Sequence, residues 1–142
     1  IPDFYLTDEF DNIVSIRDFK DKILYVNFWA TWCGPCIKNI PALNSMINEF
    51  SGDEKIAFLN ICIDSEKEKW TITTSRHKLL GMNLLAEGNW NSKIRAYLNI
   101  KDIPHYTIIG KGNILLENFA DKAPLVGDRI SEISHEYIKM LH

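Results

Sequence analysis

Two cysteines three residues apart, in Trp32-Cys33-Gly34-Pro35-Cys36, are the side chains of this sequence best suited to chemistry. Two thiols at that spacing can close into a disulfide and reopen, provided the backbone joining them is not helical throughout. On a regular helix, positions three apart hold their Cβ atoms about 5–6 Å apart, whereas a disulfide needs about 3.5–4.5 Å. Cys33 is therefore expected at the non-helical entry to a helix, with Cys36 in its first turn. Pro35 suits that turn because the N–H it lacks would find no intrahelical partner, and Gly34 leaves the approach to the sulfur open. A helix N-terminus favours a thiolate by about 0.3–1 kcal/mol, and by up to about 2 kcal/mol in buried geometries. That lowers a thiol pKa by roughly 0.2–1.5 units from about 8.5 and, at the upper end, raises the thiolate fraction at pH 7 from about 3% to near half. A hydrogen bond from Cys36 to the Cys33 sulfur supplements the dipole. Cys33 is read as an exposed nucleophile and Cys36 as the resolving thiol.

Other chemistries fit the pair less well. Half of a zinc site would need two more ligands at suitable spacing, but Cys62 stands alone and His77, His105, His135 and His142 form no paired pattern. A peroxide-reducing cysteine would leave the second cysteine unexplained. Cys62, in an apolar segment, reads as a small buried hydrophobe, the alternative being a third redox thiol at the same edge of the sheet.

The elements that must position the pair follow from the apolar pattern. Phe4–Leu6 and Ile13–Ile16 read as a small hairpin, and the near-continuous apolar run Ile23–Trp29 as a central strand covered on both faces. From Pro35 to Phe50 apolar residues recur at helical spacing, so Pro41 is expected to kink that helix without ending it. Ile56–Ile63 is a second buried strand, and the mixed charges of Glu66–Lys69 open a helix running to about Leu80 and stopped by Gly81. A short segment at Leu84-Leu85 and a helix over Ser92–Leu98, burying Ile94, Tyr97 and Leu98, lead to Ile103-Pro104. Tyr106–Ile109 and Ile114–Phe119 form a hairpin across Gly110–Asn113, and Leu125–Leu141 closes as an amphipathic helix with Ile130, Ile133, Tyr137 and Met140 on one stripe. His105 is expected to point away from whatever Pro104 faces, and Trp70 and Trp90 to be core or groove-lining residues. The alternation implies an α/β fold, a mixed sheet with helices on both faces, in a single domain over 1–142.

Composition agrees with one ordinary globular domain: 142 residues, 46% hydrophobic and 25% charged. A net charge of −3 leaves no basic excess for phosphates or anionic lipid, so no nucleic acid partner is expected. No apolar run approaches the roughly 20 residues that span a bilayer. The first residue is Ile1, as in a processed or trimmed chain whose targeting segment would lie upstream.

Val26-Asn27-Phe28-Trp29-Ala30-Thr31-Trp32-Cys33-Gly34-Pro35-Cys36 resembles the active-site segment of the thioredoxin superfamily, and more narrowly the TlpA/ResA-like thiol-disulfide oxidoreductases related to AhpC/TSA. The similarity extends from Pro2-Asp3-Phe4-Tyr5-Leu6 through Pro41 to Ile103-Pro104 and Gly112-Asn113. It implies a thioredoxin-like fold with an N-terminal β-hairpin extension, and a cis proline at Pro104 facing the cysteines. It also implies a substrate surface in which Ile103 offers backbone groups and Trp32 flanks the sulfur beside Gly34 and Pro35. Thioredoxins carry a buried Asp at the position of Asn27, and many ResA-like proteins a Glu at that of Asn39. Without either acid, the proton of the resolving cysteine has no assigned carrier, and slower resolution of mixed disulfides is expected.

The expectation is therefore a monomeric thiol-disulfide oxidoreductase working through Cys33 and Cys36, with no metal or organic cofactor. It would exchange with protein substrates in the reducing direction and be served by an upstream redox partner. The resemblance places it in the periplasm or another extracytoplasmic space, tethered if at all through a segment outside this sequence. The rivals are a thioredoxin-like copper metallochaperone, for which His105 is the sole nearby ligand candidate, and an inactive domain kept for interaction.

Overall fold

The apolar side chains of the strands alternate between the two faces of one sheet. A computed structural model describes residues 1–140 of the chain, and side-chain surroundings through residue 137. The side chain of Met140, and Leu141, both assigned above to the closing helix, lie outside the described residues. The strands are β1 (Tyr5–Thr7), β2 (Ile13–Ser15), β3 (Ile23–Trp29), β4 (Ile56–Cys62), β5 (Met82–Ala86), β6 (His105–Gly110) and β7 (Ile114–Glu117). They form one sheet in the order β2-β1-β5-β4-β3-β6-β7. β3, β4 and β5 run parallel, while β1, β2, β6 and β7 pair antiparallel, so the sheet is mixed as expected. The opening hairpin extends it through pairing of β1 with β5.

Every residue of β3 is buried, which places the strand feeding the cysteines at the centre. Tyr25 and Trp29 face one core with Phe58, Cys62, Tyr106 and Ile108, whereas Leu24, Val26 and Phe28 face the other with Leu59, Ile61 and Leu84. The first face is covered by α1 (Gly34–Lys38), α2 (Ile40–Glu49), α3 (Lys67–Arg76) and α5 (Gly127–Met140). The second is covered by α4 (Lys93–Tyr97), through Ile94 and Leu98.

Three expectations change. The helix after the cysteines is two segments, not one kinked helix: α1 stops at Asn39, and Leu43 N–H resumes the ladder on Asn39 O at 3.0 Å. Pro41, which cannot donate to Ile37, accounts for the interruption. α3 ends at Arg76 instead of near Leu80, and Lys78 takes a positive φ. Gly81 (φ 86°) serves instead as a close approach to β4, because a Cβ there would lie 2.8 Å from Phe58 O. Tyr97 is 52% exposed, not buried; its ring tilts against Phe4 at 5.8 Å on the rim, since the single turn of α4 turns only Ile94 and Leu98 inward.

Candidate active site

The end of β3 delivers the chain through Ala30-Thr31-Trp32 to α1. Thr31 N–H and Oγ1 both bond Ser65 Oγ at 2.9 Å, which ties this turn to the loop that follows β4. Cys33 is the N-cap of α1 in an extended conformation, with Gly34 and Pro35 as the first two helical residues and Cys36 the third. This is the entry geometry that the spacing requires. The Cα atoms of Cys33 and Cys36 are 5.3 Å apart, and their sulfurs are joined in a disulfide. Cys36 N–H donates to Cys33 Sγ at 3.2 Å, so the sulfur takes the capping place of an oxygen and meets the positive end of the helix.

Cys33 was expected to be exposed, but in this oxidised form it is only 3% exposed and Cys36 only 5%. Both belong to the core cluster beneath α1 and α2. Access is provided by Gly34, where a Cβ would meet nothing within 4 Å. Beside it, Thr31, Trp32, Gly34, Pro35, Ile37 and Lys38 line an open groove of about 540 Å³. Trp32 stands 62% exposed at its edge, held by Nε1–H donation to Asp64 O at 3.0 Å and Asp64 Oδ2 at 3.1 Å. The Ile103-Pro104 peptide is cis, as the resemblance implied, and leads directly into β6 beside β3. Ala123-Pro124 is also cis.

The two positions without an acid lie on the same side of the sheet, Asn27 buried within β3 and Asn39 half-buried at the end of α1. Asn27 and Tyr106 are in register across β3 and β6, and Asn27, Asn60 and Asn83 across β3, β4 and β5. Asn27 Nδ2 donates to Asn60 Oδ1 at 3.2 Å, and Asn60 Nδ2 to Leu80 O at 2.6 Å and Asn83 Oδ1 at 3.3 Å. Asn39 Nδ2 donates to Tyr106 Oη at 3.1 Å. Tyr106 stacks on Tyr25 with centroids 5.7 Å apart, and Tyr25 Oη donates to Asp121 O at 2.7 Å. Burial pushes both phenols above their ordinary pKa, with Asn39 partly opposing the rise at Tyr106. Tyr106, Asn60 and Asn83 were not among the residues expected at the site. The legible signal was one asparagine interrupting each of three apolar strands.

Other candidates separate from the pair. Cys62 is a free, buried thiol whose pKa is raised by burial, with the Ser65 hydroxyl opposing the shift. His105 turns to the opposite face, with its ring edge-on to Phe28 and Phe119 and Nε2 on Asn118 Oδ1 at 3.1 Å. The copper alternative thus loses its distal ligand, and among the described residues no group of three or more His, Cys, Asp or Glu converges on a metal-sized site. Trp70 is fully buried, while Trp90 is partly buried under the Arg95 guanidinium at 4.9 Å.

Residues 1–117 match the model of the AhpC/TSA family. A thiol-disulfide oxidoreductase ResA of Bacillus anthracis is 24% identical over 142 residues, covering 99% of this chain and 75% of the relative. A ResA of Bacillus thuringiensis subsp. konkukian is 39% identical over 49 residues, 34% of this chain, and that match spans only 28% of the relative's length. Among solved structures, a Bacteroides vulgatus protein provisionally named a thiol-disulfide oxidoreductase superposes with a TM-score of 0.82 at 27% identity, covering 93% of this chain and 92% of that one.

Proposed function

This chain belongs to the AhpC/TSA family, with a thioredoxin-like fold of the TlpA/ResA kind, and we propose that it is a thiol-disulfide oxidoreductase acting through Cys33 and Cys36. One observation carries the proposal: the two sulfurs are joined at the start of α1, with the first one capping the helix. In the reducing direction the Cys33 thiolate attacks a substrate disulfide, forming a mixed disulfide and releasing one substrate thiolate. Cys36 then loses its proton and attacks Cys33 Sγ. The second substrate thiolate leaves, and the pair ends oxidised, having given up the two electrons that the substrate gains.

Trp32, Gly34, Pro35, Ile103 and Pro104 form the surface that receives an extended substrate segment. Trp32 and Pro35 support this by lining the apolar groove, and Gly34 by leaving room above the sulfur. The substrates are protein thiols and disulfides, an upstream partner supplies electrons, and the domain acts as a monomer with no metal or organic cofactor. The resemblance to ResA-like proteins supports an extracytoplasmic setting. Among the described residues, no helix is long and apolar enough to cross a membrane.

The test is trapping. Cys36→Ser accumulates a covalent adduct with a disulfide substrate such as insulin, while Cys33→Ser forms none; adducts of equal yield would refute the order of attack. A redox titration against glutathione fixes direction. A reductase lies near the roughly −270 mV of thioredoxin, and a value near the −120 mV of a strong oxidant would overturn that assignment.

A further inference from the structure

Asn39 closes α1 one helical turn beyond the resolving cysteine. Asn39 follows Cys36 by three residues, its N–H bonds Cys36 O at 3.2 Å, and positions three apart share a helix face. What Asn39 grips there is the Tyr106 hydroxyl, at 3.1 Å, in the same buried cluster that holds both sulfurs. The polarity of that bond matters. Nδ2 has only hydrogens to give, so Tyr106 Oη accepts and its own hydrogen must point elsewhere. Among the described residues no protein acceptor takes that hydrogen while the cysteines are joined. The ring cannot swing away, being stacked on Tyr25, which is itself anchored to Asp121 O.

We infer that the Tyr106 hydroxyl donates a hydrogen bond to the Cys36 sulfur as that sulfur becomes a thiolate, with Asn39 positioning the donor. The inference rests on the exchange reading above. It gives this chain a neutral answer to the missing acids: Cys36 still yields its proton to solvent, but the charge left behind is met by a fixed O–H. Cys36 S⁻ then attacks Cys33 Sγ, the bond from Cys33 to the substrate breaks, and the departing substrate thiolate takes up a proton. Tyr106 gives up nothing in this sequence, and burial keeps its phenol protonated throughout the range in which a thiol titrates.

The surroundings leave the Tyr106 hydrogen with few competitors. Its row across the sheet continues through Asn27, Asn60 and Asn83, all neutral. Of the titratable groups nearby, Tyr25 and Cys62 are buried, and Lys38 is exposed on α1. Asp64 lies out beside Trp32, and His105 faces the other side of the sheet.

The test measures Cys36 in a Cys33→Ser background, following iodoacetamide alkylation of the Cys36 peptide by mass against pH. Hydrogen bonds to charged groups contribute about 1.5–3 kcal/mol, so Tyr106→Phe, which keeps the ring stack, is expected to raise the apparent pKa by at least one unit. With Cys33 intact, the same substitution should slow release of a Cys33-bound 2-nitro-5-thiobenzoate about tenfold at pH 7 and displace its pH midpoint upward. Asn39→Leu, which frees the hydroxyl, shifts both in the same direction and serves as the readout if Tyr106→Phe does not fold. A merely structural role would lower thermal stability and leave the midpoints where they were; coincident midpoints overturn the inference. A shifted midpoint in a protein that cannot reduce insulin supports the inference and removes the functional reading.

Discussion

Replacing Asn27 by Asp restores the acid found in thioredoxins, and the amide row determines what it does to stability. Asn27 is buried, and its Nδ2 donates to Asn60 Oδ1. A carboxylate there would set oxygen against oxygen. Asn60 cannot relieve this by flipping, because its own Nδ2 is held by Leu80 O at 2.6 Å and Asn83 Oδ1. The new acid is therefore accommodated only when protonated, and burial pushes the same way, so its folded-state pKa rises. Taking a rise of about 3 units, to near 7, from the unfolded value of about 3.9, the cost is about 4 kcal/mol well above pH 7. At pH 5 it is about 1.5 kcal/mol, since only about 1.1 units separate that pH from the unfolded pKa. A raised folded-state pKa leaves stability intact below the unfolded value and removes it as pH climbs through the folded one. Between pH 5 and pH 8 the variant should thus lose about 2.5 kcal/mol relative to wild type, or roughly 8–12 °C in Tm for a chain of this size. Thermal unfolding of both oxidised proteins at the two pH values measures it. Equal Tm offsets at pH 5 and pH 8 would refute the reasoning.

Asn39→Glu sets an acid against the Tyr106 hydroxyl and should add a second ionisation to the pH profile of mixed-disulfide resolution, speeding that step where the carboxylate is formed; an unchanged profile rejects the link between the missing acids and slow resolution. Cys62 should be silent toward Ellman's reagent in the native oxidised protein and give one thiol per chain on unfolding, because it is buried with a raised pKa. Native labelling would contradict inert burial. Gly81→Ala should cost about 2–3 kcal/mol by denaturant unfolding, combining a left-handed φ with a Cβ 2.8 Å from Phe58 O. A loss under 0.5 kcal/mol would show that the β4 contact yields freely.

The central strand, the disulfide entry and the opposite facing of His105 were legible because each follows from a short-range rule: apolar continuity, Cβ spacing, strand alternation. Element ends were less so. The break at Asn39 depends on how far a proline disturbs a helix whose apolar stripe continues beyond it, and periodicity reports the stripe alone. α3 ended early because Asn44 captures the following loop, accepting from Leu80 N–H at 2.9 Å and donating to Lys78 O at 3.1 Å. Those contacts join positions more than 30 residues apart and leave no mark on the local pattern.

The same limit explains why the cysteines were found and their surroundings were not. Two thiols three residues apart announce themselves within one turn of chain. Tyr106 matters only because strand pairing sets it beside Asn27 and because Asn39, on another element, reaches its oxygen. Read singly, a tyrosine in an apolar strand and an asparagine after a cysteine are ordinary residues. Read together they alter the chemistry expected of the site. A buried carboxylate near Cys36 would exchange a proton with it and titrate in the working range, whereas an amide and a phenol can only orient and stabilise. Resolution in this chain should therefore follow the ionisation of Cys36 alone, a single limb in pH, where an acid introduced at either position should give two.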